Sequence, residues 1–109
     1  MNLNDYQRLA LRTASPKDKK NELFHLLLAL CGESGEIAEK AKKIIRDRDS
    51  DFSQWDREDI IKELGDVMWH VAVIADYFEI TLEEIGEKNI AKLADRLKRG
   101  VISGTGDER

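Results

Sequence analysis

An all-α protein built from four helices is predicted from three features of the sequence. Apolar residues recur at helical spacing in four separate segments. Residues that suit helices, such as Ala, Leu, Glu and Lys, are frequent, whereas proline occurs once and aromatic residues make up 6%. The length of 109 residues suits one domain with a single modest core. We therefore expect one domain over 1–109, with a four-helix bundle-like core over about 3–100 and a Gly-rich tail over 101–109.

The first two predicted helices lie in the N-terminal half. The first covers about 3–13, and Pro16 limits it because proline disfavours helical geometry in the residue before it. The second covers about 19–46 and carries a long apolar stripe with the helical period. A loop rich in Asp and Ser follows over 46–53, where short polar side chains compete for backbone hydrogen bonds.

The last two predicted helices have clearer ends. The third covers about 56–78. Thr81, followed three residues later by Glu84, forms the capping-box pattern that begins a helix. This fourth helix is expected to end near Gly100, since glycine is a common C-terminal stop.

Charge and composition argue against several functional classes. The 18 Lys and Arg against 22 Asp and Glu give a net charge of −4, which does not favour sequence-independent nucleic-acid binding. The single cysteine, Cys31, excludes an internal disulfide and a cysteine metal cluster, and fits a reducing cytoplasm. The apolar run over 23–31 is shorter than the ~20 residues of a membrane span, and no signal-peptide pattern follows Met1. We expect a cytoplasmic protein that binds neither nucleic acid nor membrane.

Two acidic pairs stand out because they lie near the helix faces that should pack together. At about 100° per residue, Glu33 lies about 20° and Glu36 about 80° from Leu26, a member of the second helix's apolar stripe. On the third helix, Glu63 lies about 60° and Asp66 about 120° from the centre of the stripe. Other acidic pairs with the same spacing are easier to leave in water.

Carboxylates that converge in a packed interior destabilise the folded state by several kcal/mol, unless a basic partner, a proton or a divalent cation compensates their charge. Carboxylate oxygens suit Mg²⁺ or Mn²⁺, whereas zinc is disfavoured because only His25 and His70 offer nitrogen. Gly32, Gly35 and Gly65 accompany the acidic pairs. They indicate either a group that approaches the backbone closely or tight helix packing.

A cationic row is predicted on the fourth helix. Lys92, Arg96 and Arg99 fall on one face with Asn89, beside the apolar stripe. Such a row suits phosphate oxygens, since Arg binds as a fork and Lys as a point charge. An ordinary solvated face is the alternative.

The acidic pairs also carry a family resemblance. Glu33-Ser-Gly-Glu36 and Glu63-Leu-Gly-Asp66, separated by 26 residues, resemble the ExxE…ExxD signature of the all-α nucleoside triphosphate pyrophosphohydrolases, the MazG-like group. Further segments resemble other parts of the same family: 3–14, 65–70, 80–85 and 89–93.

The resemblance implies an enzyme that hydrolyses canonical or non-canonical nucleoside triphosphates between the α and β phosphates, giving a monophosphate and pyrophosphate. It implies Mg²⁺ as the cofactor, with Mn²⁺ as a possible substitute. The implied metal ligands are Glu33, Glu36, Glu63 and Asp66. Glu36 is the preferred general base, with Glu33 as the other catalytic carboxylate.

Substrate contacts and assembly are implied as well. Asn89 and Lys92 match phosphate- and sugar-contacting positions of the family, and Arg96 is added from the cationic row. Short members are homodimers or dimers of dimers with the site at a subunit interface, so we expect a homodimer or homotetramer. Tyr6, Gln7 and Arg12 are further candidates for a base or sugar contact.

Two other functions stay open from the sequence. One is a same-superfamily enzyme that acts on dUTP or on phosphoribosyl-ATP. The other is a non-catalytic helical interaction module whose acidic face meets a basic partner.

Overall fold

The computed structural model describes residues 1–109 and contains α-helices and no strand, which confirms the all-α prediction. The four helices are α1 (Leu3–Ala10), α2 (Glu22–Asp47), α3 (Arg57–Tyr77) and α4 (Leu82–Arg99). Short 3-10 turns extend α1 over Leu11–Thr13 and occupy Phe52–Gln54 between α2 and α3.

The predicted helix ends agree closely with the observed ones, except at the start of α2. That helix was predicted from residue 19 and begins at Glu22, because Asn21 adopts a left-handed backbone with φ 62°. At α4 the predicted cap is confirmed, since Thr81 Oγ1 accepts a hydrogen bond from Glu84 N at 3.1 Å. Gly100 ends α4 in the left-handed conformation, with φ 74°.

The long helices α2 and α3 pack against each other as a hairpin joined by the loop over 48–56. Helix α1 packs on α3 and on α4. None of the helices combines the length and the apolarity that a membrane crossing requires.

A buried glutamine joins α1 to α3, to the turn after it and to the first residue of α4. Gln7 Nε2 donates to the carbonyl oxygens of Ala72 at 3.1 Å and Ile80 at 3.0 Å. Its Oε1 accepts from Leu82 N at 3.0 Å. The expectation that Gln7 touches a base or sugar is therefore wrong, because backbone groups inside the core occupy its amide.

The core of the single chain is small. Ten of the 109 residues are buried, and the main cluster is Ala10, Ala72 and Leu82 with partly buried aromatic neighbours. The radius of gyration is 16.9 Å, against about 13 Å for a compact chain of this length. Large apolar side chains consequently stay exposed on α2, α3 and α4.

Candidate metal centre

Three glutamates meet across the α2–α3 hairpin. Glu33 and Glu36 lie one turn apart on α2, and Glu63 approaches them from α3. One carboxylate oxygen of each lies within 4.8 Å of the others. The structure thus brings together three of the four predicted metal ligands, and two helices are needed to do so.

The negative charge of the cluster is only partly compensated within the chain. Glu33 Oε2 and Glu63 Oε2 are buried and have no hydrogen-bond partner. The charge of Glu33, then desolvation and the charge of Glu63, raise the pKa of the exposed Glu36 above its ordinary value. A buried carboxylate oxygen without a partner is costly, and ligation by a divalent cation would remove both that cost and the repulsion. The donor set therefore fits a divalent metal ion.

Asp66, the fourth predicted ligand, is not among these three glutamates. Its side chain is exposed, and its charge acts instead on Tyr6, whose pKa is raised by burial and then by Asp66. The backbone carbonyl of Asp66 accepts a hydrogen bond from His70 Nδ1 at 2.8 Å. This displacement follows from the helix angle, which puts Asp66 about twice as far from the stripe as Glu63. Its role as a ligand stays a prediction.

Lys40, which was not among the predicted site residues, contacts the glutamate cluster. Lys40 Nζ donates to Glu63 Oε1 at 2.7 Å and to Asp59 Oδ1 at 2.6 Å, so it bridges α2 and α3. Trp55 Nε1 donates to the other oxygen of Asp59 at 3.3 Å. Hydrogen bonds to Asp59 and then Glu63 raise the pKa of Lys40 to about 12, and the ammonium stays charged at neutral pH.

The sequence did contain a signal for this lysine. At about 100° per residue, Lys40 lies about 40° from Leu26 of the α2 stripe, on the same side as Glu33 and Glu36. A cation whose helix angle falls between those of two glutamates is a candidate partner for a carboxylate of the acidic pairs.

The cationic row on α4 binds a carboxylate of the chain itself. Lys92 Nζ and Arg96 Nη2 each lie 2.8 Å from Asp107 Oδ1. The Arg96 side chain is 7% exposed, so it is more than a solvated surface charge. Hydrogen bonds from Lys92 and then Arg96 lower the pKa of Asp107 to about 2. Two cations of the row can therefore converge on one anionic oxygen.

The row and the glutamate cluster are separate in the single chain. None of the ion pairs of Lys92 or Arg96 involves the three glutamates. Asn89 is exposed and lines, with Lys92, a cavity of about 450 Å³ beside α4. Because α4 packs on α1 rather than along the hairpin, the substrate-binding role of Asn89, Lys92 and Arg96 stays a prediction.

The three helical glycines beside the acidic pairs face open space. A Cβ atom placed on Gly32, Gly35 or Gly65 would meet no atom within 4 Å outside its own helix. Tight helix packing within the chain therefore does not account for these glycines.

The chain is similar to one known protein family and to two individual proteins. The family model described as the MazG nucleotide pyrophosphohydrolase domain matches residues 22–101, a range that contains the four predicted metal ligands and the cationic row of α4. The chain is 42% identical over 114 residues to the "Gene 37 protein" of Mycobacterium phage L5, and the match covers 100% of both chains. It is 32% identical over 74 residues to the "Uncharacterized protein YvdC" of Bacillus subtilis (strain 168), covering 63% of this chain and 70% of the relative. No solved structure matches the chain.

Proposed function

The chain belongs to the MazG nucleotide pyrophosphohydrolase family, and from that premise we propose that it hydrolyses a nucleoside triphosphate between the α and β phosphates. The products are a nucleoside monophosphate and pyrophosphate, the cofactor is Mg²⁺, and Mn²⁺ can replace it. One observation supports this above all: three glutamates converge with two buried, unpartnered oxygens inside the matched region. In this proposal residues 1–109 act as one catalytic domain.

The acidic residues have two roles in this proposal, metal binding and proton transfer. Glu33, Glu36 and Glu63 would hold the ion, with Asp66 as the fourth ligand. Bound Mg²⁺ neutralises phosphate charge and lowers the pKa of water, which is the main requirement of triphosphate hydrolysis. Glu36 is the exposed member of the cluster, so it is the carboxylate that we assign to hold the attacking water and accept its proton.

The polyphosphate is held by the cationic row of α4. Lys92 and Arg96 bind phosphate oxygens, and Asn89 donates to a phosphate or to the sugar. The ion pairs with Asp107 support this assignment because they show both cations on one anionic oxygen. In a homodimer or homotetramer the row can come from a neighbouring chain, which would bring it to the glutamates that it does not reach within one chain.

The test is a pyrophosphate-release assay with canonical and modified nucleoside triphosphates, dUTP and phosphoribosyl-ATP, each with Mg²⁺, Mn²⁺ or a chelator. We expect metal-dependent release from at least one triphosphate. Glu36→Gln should lower the rate by about a hundredfold or more, the loss typical of a missing general base. Glu39→Gln is the matched control, because Glu39 lies one turn further on and pairs with Lys42 at the surface at 3.0 Å.

A second readout separates metal binding from catalysis. Mg²⁺ should raise the melting temperature of the native protein, since it binds the folded cluster alone. Glu36→Gln should remove most of that increase. If this variant is inactive but keeps the full increase, Glu36 is not a metal ligand. Failure to release pyrophosphate from any substrate with either metal would favour the non-catalytic interaction module.

A further inference from the structure

Lys40 is the cation that the structure pairs with the glutamate cluster. It binds Oε1 of Glu63, while no ion pair engages Glu33 or Glu36. A second carboxylate, Asp59, holds the ammonium from the other side. The position of Lys40 is therefore fixed by two bonds to α3, even though its side chain is 34% exposed.

We propose that Lys40 is the resident counterion of the cluster: it keeps Glu63 in place without metal, and its charge weakens the binding of free divalent cations. The inference rests on the proposed function, because it takes the three glutamates as the metal site. Lys40 is thus a positioning residue that also sets the metal affinity.

The first half of the proposal follows from the two oxygens of Glu63. Lys40 occupies Oε1, whereas Oε2 is buried and unpartnered. Without the lysine, both oxygens of a side chain that is 13% exposed would lack a partner in the metal-free protein. A buried charge that loses its partner destabilises the native state strongly.

The second half follows from charge. The Lys40 ammonium lies 2.7 Å from Oε1 of Glu63, a carboxylate that would bind the metal. A divalent cation that enters the cluster is therefore repelled by a fixed positive charge. Charges at such short separation in a partly buried site are weakly screened by salt. Removing the ammonium should therefore strengthen metal binding while it weakens the metal-free fold, a combination that a purely structural residue would not produce.

The affinity test measures Mn²⁺ alone by electron paramagnetic resonance, which reports the free ion. Lys40→Met should bind Mn²⁺ roughly tenfold more tightly than the unmodified protein, as expected for the loss of one nearby unit charge. Lys40→Arg keeps the charge and should keep the native affinity. Lys42→Met is the matched control, because it removes the same charge from α2 at a side chain that is 61% exposed and paired with Glu39.

The stability test needs no metal. Lys40→Met should melt below the unmodified protein and below Lys42→Met in a chelator. Adding Glu63→Gln to Lys40→Met should recover most of that loss, because the glutamine carries no charge that needs a counterion.

Each result decides a separate point. Mn²⁺ affinity that is unchanged or weaker in Lys40→Met overturns the effect on metal binding. A Lys40→Met, Glu63→Gln protein that is no more stable than Lys40→Met overturns the counterion role. If the unmodified protein binds no Mn²⁺, the metal centre of the proposed function fails and the affinity claim fails with it, while the chelator experiment still decides the role of Lys40 toward Glu63.

Discussion

The pKa of Glu36 is raised and that of Asp107 is lowered, and each direction reports the charge of the surrounding groups. The charge of Glu33 raises the pKa of Glu36, because a second negative charge is unfavourable there. Hydrogen bonds from Lys92 and Arg96 lower the pKa of Asp107 to about 2. A bound cation would therefore stabilise the surroundings of Glu36, whereas the cations around Asp107 already stabilise its carboxylate.

The lowered pKa of Asp107 predicts how the contact between the tail and α4 depends on pH. The folded-state pKa of about 2 lies below the ordinary 3.8, so the contact is at full strength above 3.8 and is lost as pH falls toward 2. At about pH 3 the Asp107 carboxyl should still be mostly ionised, as measured by carbon NMR of its side chain. Lys92→Met should raise the pKa because it removes the first contributor to the shift. A native carboxyl that titrates near 3.8 would show that the contact does not persist in solution.

Local sequence signals predicted the four helices, but they did not predict the contacts between helices. The helical period and the Thr81 cap are properties of a few neighbouring residues, which is why the extents of α3 and α4 were predicted well. The left-handed Asn21 had no marker, since asparagine adopts that conformation without requiring it.

Helix angle predicted which face of α2 or α3 each acidic residue of the candidate site lies on. Angles alone placed Glu33 and Glu63 on the packing faces, and they put Asp66 furthest from its stripe, where the structure finds it exposed. Helix angle places Lys40 on the same side of α2 as Glu33 and Glu36, but it does not predict which groups of other elements a side chain will bind. That Lys40 bridges to Asp59, or that Asp107 reaches back to α4, depends on how elements pack, and no period in the sequence records it.

Gln7 offers a prediction about how the short α1 is attached. Gln7→Leu keeps a similar volume but leaves Leu82 N and the carbonyl oxygen of Ile80 without this partner. We expect a loss of about 1–3 kcal/mol in the free energy of unfolding, the cost of unsatisfied buried polar groups. Urea unfolding followed by circular dichroism, at one protein concentration, measures it. Arg8→Ala is the control on the same helix, since that exposed side chain pairs only with Asp5 and should cost less than about 0.5 kcal/mol. Equal unfolding midpoints for the two variants would contradict the anchoring role of Gln7.

The single chain leaves more surface exposed than a folded monomer of its mass, including many large apolar side chains. Its accessible surface is 8194 Å², against about 6,200 Å² for a folded monomer of this mass. Most of the exposed large apolar side chains lie on the helices: Phe24 is 67% and Leu28 73% exposed, one turn apart on α2. Contiguous apolar faces of this kind mark association surfaces.

These faces predict a homo-oligomer, a state that the proposed function also uses to bring α4 to the glutamates. Light scattering should give a mass of two or four times the 12.5 kDa of one chain. Leu28→Glu should shift this mass toward that of one chain, because burying a glutamate in an apolar interface costs several kcal/mol and removes the ~2 kcal/mol of a buried leucine. Ser103→Glu, the same change of charge in the exposed tail, should leave the mass unchanged.

Assembly should also make the melting temperature of the protein depend on its concentration. If the exposed faces are covered by other copies of the chain, folding and association are linked, and the melting temperature of the unmodified protein should rise with its concentration. Leu28→Glu should melt at a lower temperature and lose most of that dependence, whereas Ser103→Glu should keep it. A native protein that has the mass of one chain and a melting temperature independent of concentration would mean that α2 presents Phe24 and Leu28 to water. The cationic row of α4 would then have to reach the glutamates by a movement within one chain.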